Sequence, residues 1–110
     1  MKKRILNMLG LAKRAGRIKS GSFSVETALR SREAKLVILA EDTAPGIRKL
    51  ITDKAAFRKT PILIWGSKDE LGKALGQTDR SCLALTDDNF AGRIAEMIEE
   101  DMNRTTEGGV

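Results

Sequence analysis

Two short, unbroken apolar runs constrain the fold of this chain more than any other feature. They are Leu36-Val37-Ile38-Leu39-Ala40 and Pro61-Ile62-Leu63-Ile64-Trp65, and neither alternates apolar with polar residues. Such runs are typical of strands that helices cover on both faces. Because segments of helical periodicity separate the two runs, the sequence predicts an α/β protein with residues 36–40 as its central strand and residues 61–65 as a second fully buried strand.

Helical patterns fill much of the remaining chain. An amphipathic pattern at the start of the chain ends at Gly16, and a second helix begins at Gly21. We expect Thr43 and Asp88 to cap the third and the last helix, and Ser67 to begin a short fourth helix with a capping box. The inward-facing residues expected in the third and last helices are Ile47, Leu50 and Ile51, and Phe90, Ile94, Ile98 and Met102.

These elements predict a three-layer α/β/α sandwich around a small mixed, largely parallel sheet of about four strands. The two remaining strands are short: residues 17–20, which can pair antiparallel at an edge of the sheet, and residues 81–86. We expect residues 1–104 to form one domain and residues 105–110 to be a disordered tail.

The composition limits the chemistry open to the chain. Twenty Lys and Arg against 15 Asp and Glu give a net charge of +5, and the basic residues concentrate in the first third, which suggests an anionic partner. The absence of His and the single Cys82 exclude tetrahedral zinc sites and Ser-His-Asp or Cys-His catalysis, so we expect neither metal nor cofactor. No apolar run approaches the roughly 20 residues that span a bilayer, so a cytoplasmic protein without membrane contact is expected.

Two motifs are compatible with enzymatic chemistry, and both have simpler explanations. The segment from Gly66 to Ala74 resembles a phosphate-binding loop, but its glycines are spaced wrongly and Ala74 stands where Ser or Thr would bind magnesium. Glu41 and Asp42 follow the central strand and could act as an acid/base pair, but a strand-to-helix turn whose acids help to cap the next helix explains them better. We therefore predict that the chain is not an enzyme, and keep a small enzyme using Glu41 and Asp42 as an alternative.

A basic segment leads into the second helix at Ser20-Gly21-Ser22. Its cations are Lys13, Arg14, Arg17 and Lys19. The free backbone N–H groups and the positive end of a helix dipole are a natural binding site for a phosphate. A solvated helix face explains the same charges, and the residues alone leave both interpretations open.

Three segments, residues 17–29, 34–42 and 61–76, resemble the L7Ae/L30e family of large-subunit ribosomal proteins, which bind kink-turn RNA. The most specific features are an apolar strand ending in Ala-Glu-Asp and a Ser-Lys-x-Glu-Leu-Gly helix start. The resemblance covers roughly residues 3–100 and is strongest to the family's small bacterial ribosome-associated paralogues. It implies the same sandwich fold, a structured RNA partner of the kink-turn type, ribosomal or otherwise, and a monomer.

The resemblance also implies where RNA binds. The family reads RNA with a Gly-x-Asn-Glu motif and a Lys three residues later; Gly21 is kept here, but Phe23, Ser24 and Thr27 stand at the three polar positions. Phe23 could stack on RNA or pack against the first helix. The candidate RNA-binding residues are Lys13, Arg14, Arg17, Lys19, Ser20, Gly21, Ser22, Phe23, Ser24, Thr27, Glu41, Arg80, Ser81 and Cys82. Because three polar positions differ, a protein-interaction module on the same fold is the main alternative function.

Overall fold

The structure, a computed structural model, describes the backbone of residues 1–108 and the side chains of residues 1–103. The described elements are α1 (Lys2–Arg14), β1 (Ile18–Ser20), α2 (Ser22–Arg30), β2 (Leu36–Leu39), α3 (Pro45–Arg58), β3 (Ile62–Ile64), α4 (Lys68–Ala74), β4 (Cys82–Leu85) and α5 (Asp88–Gly108). The strands form one sheet in the order β1-β4-β2-β3.

Helices cover the sheet on both faces. The side chains of β2 alternate between two cores: Leu36 and Ile38 pack with α1, α4 and α5, whereas Val37 and Leu39 pack with α2 and α3. All four side chains are fully or almost fully buried, which explains why the strand is apolar throughout. The predicted three-layer α/β/α sandwich with a mixed four-stranded sheet is confirmed.

Two details of the predicted sheet are wrong. The sheet is not largely parallel, because β4 lies between β1 and β2 and runs antiparallel to both; only β2 and β3 pair in parallel. The run from Pro61 to Trp65 is not a fully buried strand either. β3 lies at an edge of the sheet, and its three residues are half-buried. The antiparallel edge position expected for the first strand is confirmed, since β1 pairs only with β4 within the described residues.

The predicted caps are correct for α4 and wrong for two other helices. Ser67 and Glu70 form the capping box. The hydrogen bond from the Ser67 backbone N–H lowers the pKa of the Glu70 carboxyl; burial acts in the opposite direction, and the nearby Lys2 lowers the pKa further. The N-cap of α3 is Ala44, whose side chain cannot form a hydrogen bond. The hydroxyl of Thr43 donates to the carbonyl of Ala40 instead of capping the helix. At α5 the carboxylate of Asp87, one residue before the expected Asp88, accepts the N–H of Phe90 at 2.9 Å.

The buried faces of α3 and α5 are narrower than predicted. Ile51, Ile94 and Ile98 are buried as expected. Ile47 and Phe90 are only half-buried, and Leu50 and Met102 are exposed. The buried face of α3 is therefore a narrow stripe that contains Ile51 and Ala55.

Helix α5 continues through Gly108, so residues 105–108 continue the helix where we expected the tail to begin. Gly109 and Val110 lie outside the described residues, and a disordered tail stays a prediction. Over the described part of the chain, no helix combines the length and apolar character needed to cross a membrane.

Candidate RNA-binding site

Gly21 connects the end of β1 to the start of α2 with a backbone conformation that suits glycine. Its φ of 90° and ψ of 154° lie in a region that residues with a side chain rarely adopt. Its N–H donates to the carbonyl of Cys82 at 3.0 Å, and its own carbonyl accepts the N–H of Val25 at 3.0 Å. The first turn of α2 is thereby held beside the loop that precedes β4.

The N-terminus of α2 carries no group of its own that neutralises it. Within the described residues no side chain caps this helix and no acidic residue lies in its first turn. Gly21 and Ser22 are half-exposed, so the start of α2 lies at the surface. The N–H groups in the first turn of a helix have no carbonyl partner within the helix. Together with the positive end of the helix dipole, they can bind an anion such as a phosphate.

The loop before β4 is joined to β1 through Gln77. Its Oε1 accepts hydrogen bonds from Ser20 Oγ at 2.8 Å and from Arg80 Nε at 3.2 Å. A second nitrogen of Arg80 donates to the carbonyl of Asp79 at 3.0 Å. Arg80 is thus held at the surface next to the start of α2, and half-exposed Ser81 follows it.

Glu41 lies at the same end of the sheet, on the far side of β4. The N–H of Ala40 donates to the carbonyl of Ser81 at 2.8 Å, and the N–H of Glu41 donates to the carbonyl of Gly66 at 2.7 Å. The hydroxyl of Thr43 lies 2.7 Å from the Ala40 carbonyl and 3.0 Å from that of Ser81. With a strand spacing of about 4.8 Å, Glu41 stands roughly 10 Å from Gly21.

We call this surface, made of residues 20–24, 41 and 77–81, the Gly21 edge. Glu41 is exposed at the far end of this surface, where it also lines a separate depression with Lys2, Trp65 and Gly66. The carboxylate of Asp42 accepts the N–H of Lys68 at 2.8 Å and so helps to begin α4. One member of the candidate acid/base pair therefore has a structural role. Among the described residues, no group of three or more His, Cys, Asp or Glu side chains is arranged to hold a metal ion.

Four predicted residues meet in a depression that overlaps the Gly21 edge. Lys19, Phe23, Ser24 and Thr27 line a shallow depression of about 170 Å³. Phe23 is 80% exposed, so the alternative that it packs against the first helix is wrong. The Thr27 hydroxyl donates to the carbonyl of Phe23 at 3.1 Å, which leaves its oxygen available as an acceptor.

Other predicted residues do not join this surface. Arg17 lies at the opposite end of β1, where its carbonyl accepts the N–H of Thr86, and Lys13 and Arg14 precede it on α1. Arg14 lines a groove between α1 and α4 instead. These three cations do not line the site, and among the four cations of the basic segment only Lys19 borders it.

The prediction that the side chain of Cys82 belongs to the RNA-binding surface is wrong. Its side chain is fully buried, because it points from β4 into the core beneath α2 and α3. Burial raises the pKa of its thiol to about 12, and the Glu26 carboxylate adds to the rise. Cys82 contributes to the Gly21 edge through its backbone carbonyl alone.

The sequence interpretation missed Gln77 and Thr43, which hold the loops of the Gly21 edge together. Gln77 directly follows a glycine at the end of a helix, and Thr43 follows the Glu41-Asp42 pair. A short polar residue next to a turn is a signal that could have identified Thr43, whereas Gln77 carries no such local signal.

Named proteins from other organisms are similar in sequence to most of this chain. RNA-binding protein YlxQ of Bacillus subtilis is 36% identical over 92 residues, which cover 84% of this chain and 92% of that protein. Large ribosomal subunit protein eL8 of Cenarchaeum symbiosum is 32% identical over 100 residues, covering 86% of this chain and 75% of that protein. These relatives are RNA-binding and ribosomal proteins, which agrees with the expectation that this chain is not an enzyme.

Solved structures share the fold. A protein with unknown function from Bacillus halodurans matches with a TM-score of 0.83 and 30% identity, covering 86% of this chain and 96% of that one. The Giardia lamblia 15.5kD RNA binding protein matches with a TM-score of 0.70 and 23% identity, covering 86% and 82% of the two chains. The model of the ribosomal protein L7Ae/L30e/S12e/Gadd45 family matches residues 3–95, and this chain belongs to that family.

Proposed function

We propose that this protein binds structured RNA and that it recognises a kink-turn or a similarly bent helix at the Gly21 edge. The observation that carries the proposal is the uncapped, acid-free start of α2, which the Gly21–Cys82 hydrogen bond holds beside the loop of residues 77–81. A phosphate can bind the free N–H groups of this turn, and the neighbouring loop can contact the nucleotides on the other side of a bend.

The site supports recognition of shape more than of base identity. The family motif has Asn, Glu and Lys at the positions that Phe23, Ser24 and Thr27 occupy here. Phe23 presents an aromatic ring and Ser24 a hydroxyl, whereas the hydroxyl of Thr27 already donates to the carbonyl of Phe23. Stacking on an exposed ring is tolerant of base identity because every base has a π face. We therefore expect selectivity for a bent RNA backbone, in a cytoplasmic protein that acts on ribosomal or other structured RNA as a monomer.

Equilibrium binding to two RNA stems tests the proposal. One stem contains a bulge flanked by tandem G·A pairs, and the other has the same length and is fully complementary. At moderate salt we expect tighter binding to the bulged stem, because both stems offer similar phosphate charge and differ in shape. Equal affinity for the two stems would contradict the proposal and favour a protein-interaction module on the same fold.

A further inference from the structure

A basic surface lies at the end of the sheet opposite the Gly21 edge. It surrounds a cavity of about 270 Å³, and four of its seven lining residues are cations: Arg32, Lys35, Arg58 and Lys59. We call these four residues the basal cluster. They come from the end of α2, the start of β2 and the end of α3. The other lining residues are Ala34, Thr60 and Pro61, so the described lining contains no carboxylate.

The cations of the basal cluster have no carboxylate partner among the described side chains. The ion pairs of this face involve other residues: Lys54 pairs with Glu26 at 3.7 Å, and Lys49 pairs with Asp53 at 3.1 Å. Glu33, the acid nearest in sequence, accepts a hydrogen bond from Ser31 and lines the depression beside Lys19. The positive charge of the basal cluster is therefore available to an external anion.

Helix capping alone does not account for two of these cations. Arg32 and Lys59 have φ values of 66° and 59°, in the left-handed region where glycine is the favoured residue after a helix. A cation anywhere in the last turn complements the helix dipole, and Arg30 and Arg58 already occupy the last turns of α2 and α3. Long basic side chains at both strained positions point to a role for their charge.

An exposed aromatic ring adjoins the cluster. Phe57 is 78% exposed, and the guanidinium carbon of Arg58 lies 5.2 Å from the centre of its ring. Phe57 and Arg58 both line the groove between α2 and α3, and Arg58 also lines the basal cavity, so the two surfaces are continuous. Cations that can bind phosphates beside a ring that can stack on a base suit an unpaired nucleic-acid strand.

We infer that the basal cluster, together with Phe57, binds a second, single-stranded segment of RNA. The inference rests on the protein's binding RNA but not on its reading a kink. The four residues of β2 separate the two surfaces by roughly 13 Å, at about 3.3 Å per residue. Because the surfaces lie at opposite ends of the sheet, one molecule can hold a bent helix and an unpaired strand at the same time.

Binding of a labelled oligouridylate 12-mer to the full chain tests this inference directly. The double variant Arg32→Gly and Lys59→Gly removes two charges and relieves both left-handed positions, so its melting temperature should not fall. We expect the salt dependence of oligouridylate binding to lose about 1.4 in log–log slope, at about 0.7 for each phosphate contact. The charge-matched control Lys73→Gln with Arg93→Gln, on α4 and α5, should bind like the native chain.

Three further measurements separate the alternatives. Phe57→Ala should weaken oligouridylate binding without lowering the melting temperature. An oligoglutamate peptide should not bind to the native chain at the oligouridylate site. A kinked RNA and the oligouridylate with different labels should form a ternary complex, which the Arg32→Gly and Lys59→Gly variant loses while it keeps the kinked RNA. Native oligouridylate affinity in that variant or in Phe57→Ala, or equal binding of oligoglutamate, would overturn the inference. If the kink proposal fails, the chain binds the bent and the straight stem with equal affinity, and that result does not affect the oligouridylate measurements.

Discussion

Gly72 of α4 packs directly against the backbone of Thr78 in the loop of the Gly21 edge. A Cβ atom at Gly72 would overlap the Thr78 carbonyl oxygen and lie 2.7 Å from its carbonyl carbon. The carbonyl of Gly72 also accepts the N–H of Gln77 at 2.8 Å. The absence of a side chain at position 72 therefore allows the loop to lie where Gln77 can reach Ser20.

Replacing Gly72 with Ala should push this loop away from α4. We expect the variant to lose about 1–3 kcal/mol of stability, as overpacked sites do, and to bind bent RNA more weakly. Gly92→Ala is the matched control, because a Cβ at this exposed position of α5 meets nothing within 4 Å. Thermal melting and RNA titration measure both effects. Native stability and affinity in Gly72→Ala would show that the loop does not depend on this contact.

A negative charge at Ser22 should affect folding and RNA binding in opposite directions. Ser22 is the first residue of α2, where a carboxylate interacts favourably with the helix dipole. Ser22→Asp should keep or raise the melting temperature, while repulsion of a phosphate lowers RNA affinity by about tenfold or more. Ser22→Asn, which has a similar size and no charge, should bind nearly normally. Unchanged RNA affinity in Ser22→Asp would place the phosphate site elsewhere.

Removing the ring of Phe23 should reduce selectivity and leave stability unchanged. The ring is 80% exposed and so adds little to the core. We expect Phe23→Ala to lose part of its preference for bent over straight RNA at an unchanged salt dependence, because stacking neutralises no phosphate. Phe57→Ala, a substitution of an equally exposed ring, should keep that preference. A melting temperature several degrees lower, with native selectivity, would contradict a role of Phe23 in RNA binding.

Cys82 should make the protein less stable at high pH. Burial raises the pKa of its thiol from 9.0 to about 12, so between these values the folded protein keeps a proton that the unfolded chain releases. Unfolding then becomes easier as pH rises, by at most about 1.4 kcal/mol for each pH unit. Urea titrations at pH 8.5 to 10.5 should show a steeper loss in the native chain than in Cys82→Ala. Parallel losses in the two proteins would contradict this origin.

Local sequence patterns predicted the parts of the fold that depend on neighbouring residues. The unbroken apolar run of β2 reflects helices on both of its faces, and the capping box of Ser67 and Glu70 closes within four residues. Strand direction depends on distant pairing, so the antiparallel insertion of β4 left no local signal. The edge position of β3 depends on the same pairing and was missed for the same reason.

The candidate site was predicted in part. The resemblance to a family pointed to Gly21 and Glu41, which lie at the same end of the sheet, and their role in RNA binding stays a prediction. The buried Cys82 and the bridging Gln77 depend on contacts across β1 and β4. Arg14 and Lys19 are close in sequence, yet α1 and β1 direct them to different surfaces. Charge clustering along a chain does not determine clustering in space.

The central claim is that the Gly21 edge binds the bent form of an RNA, and fluorescence energy transfer tests it most directly. A kink-turn stem with a dye on each arm, held in a buffer without divalent cations, reports the angle between its arms. A protein that binds the bent form preferentially shifts the RNA population toward it. We predict that the native chain raises the transfer efficiency of this stem and not that of a fully complementary stem. Saturating binding without a change in transfer efficiency would contradict the claim.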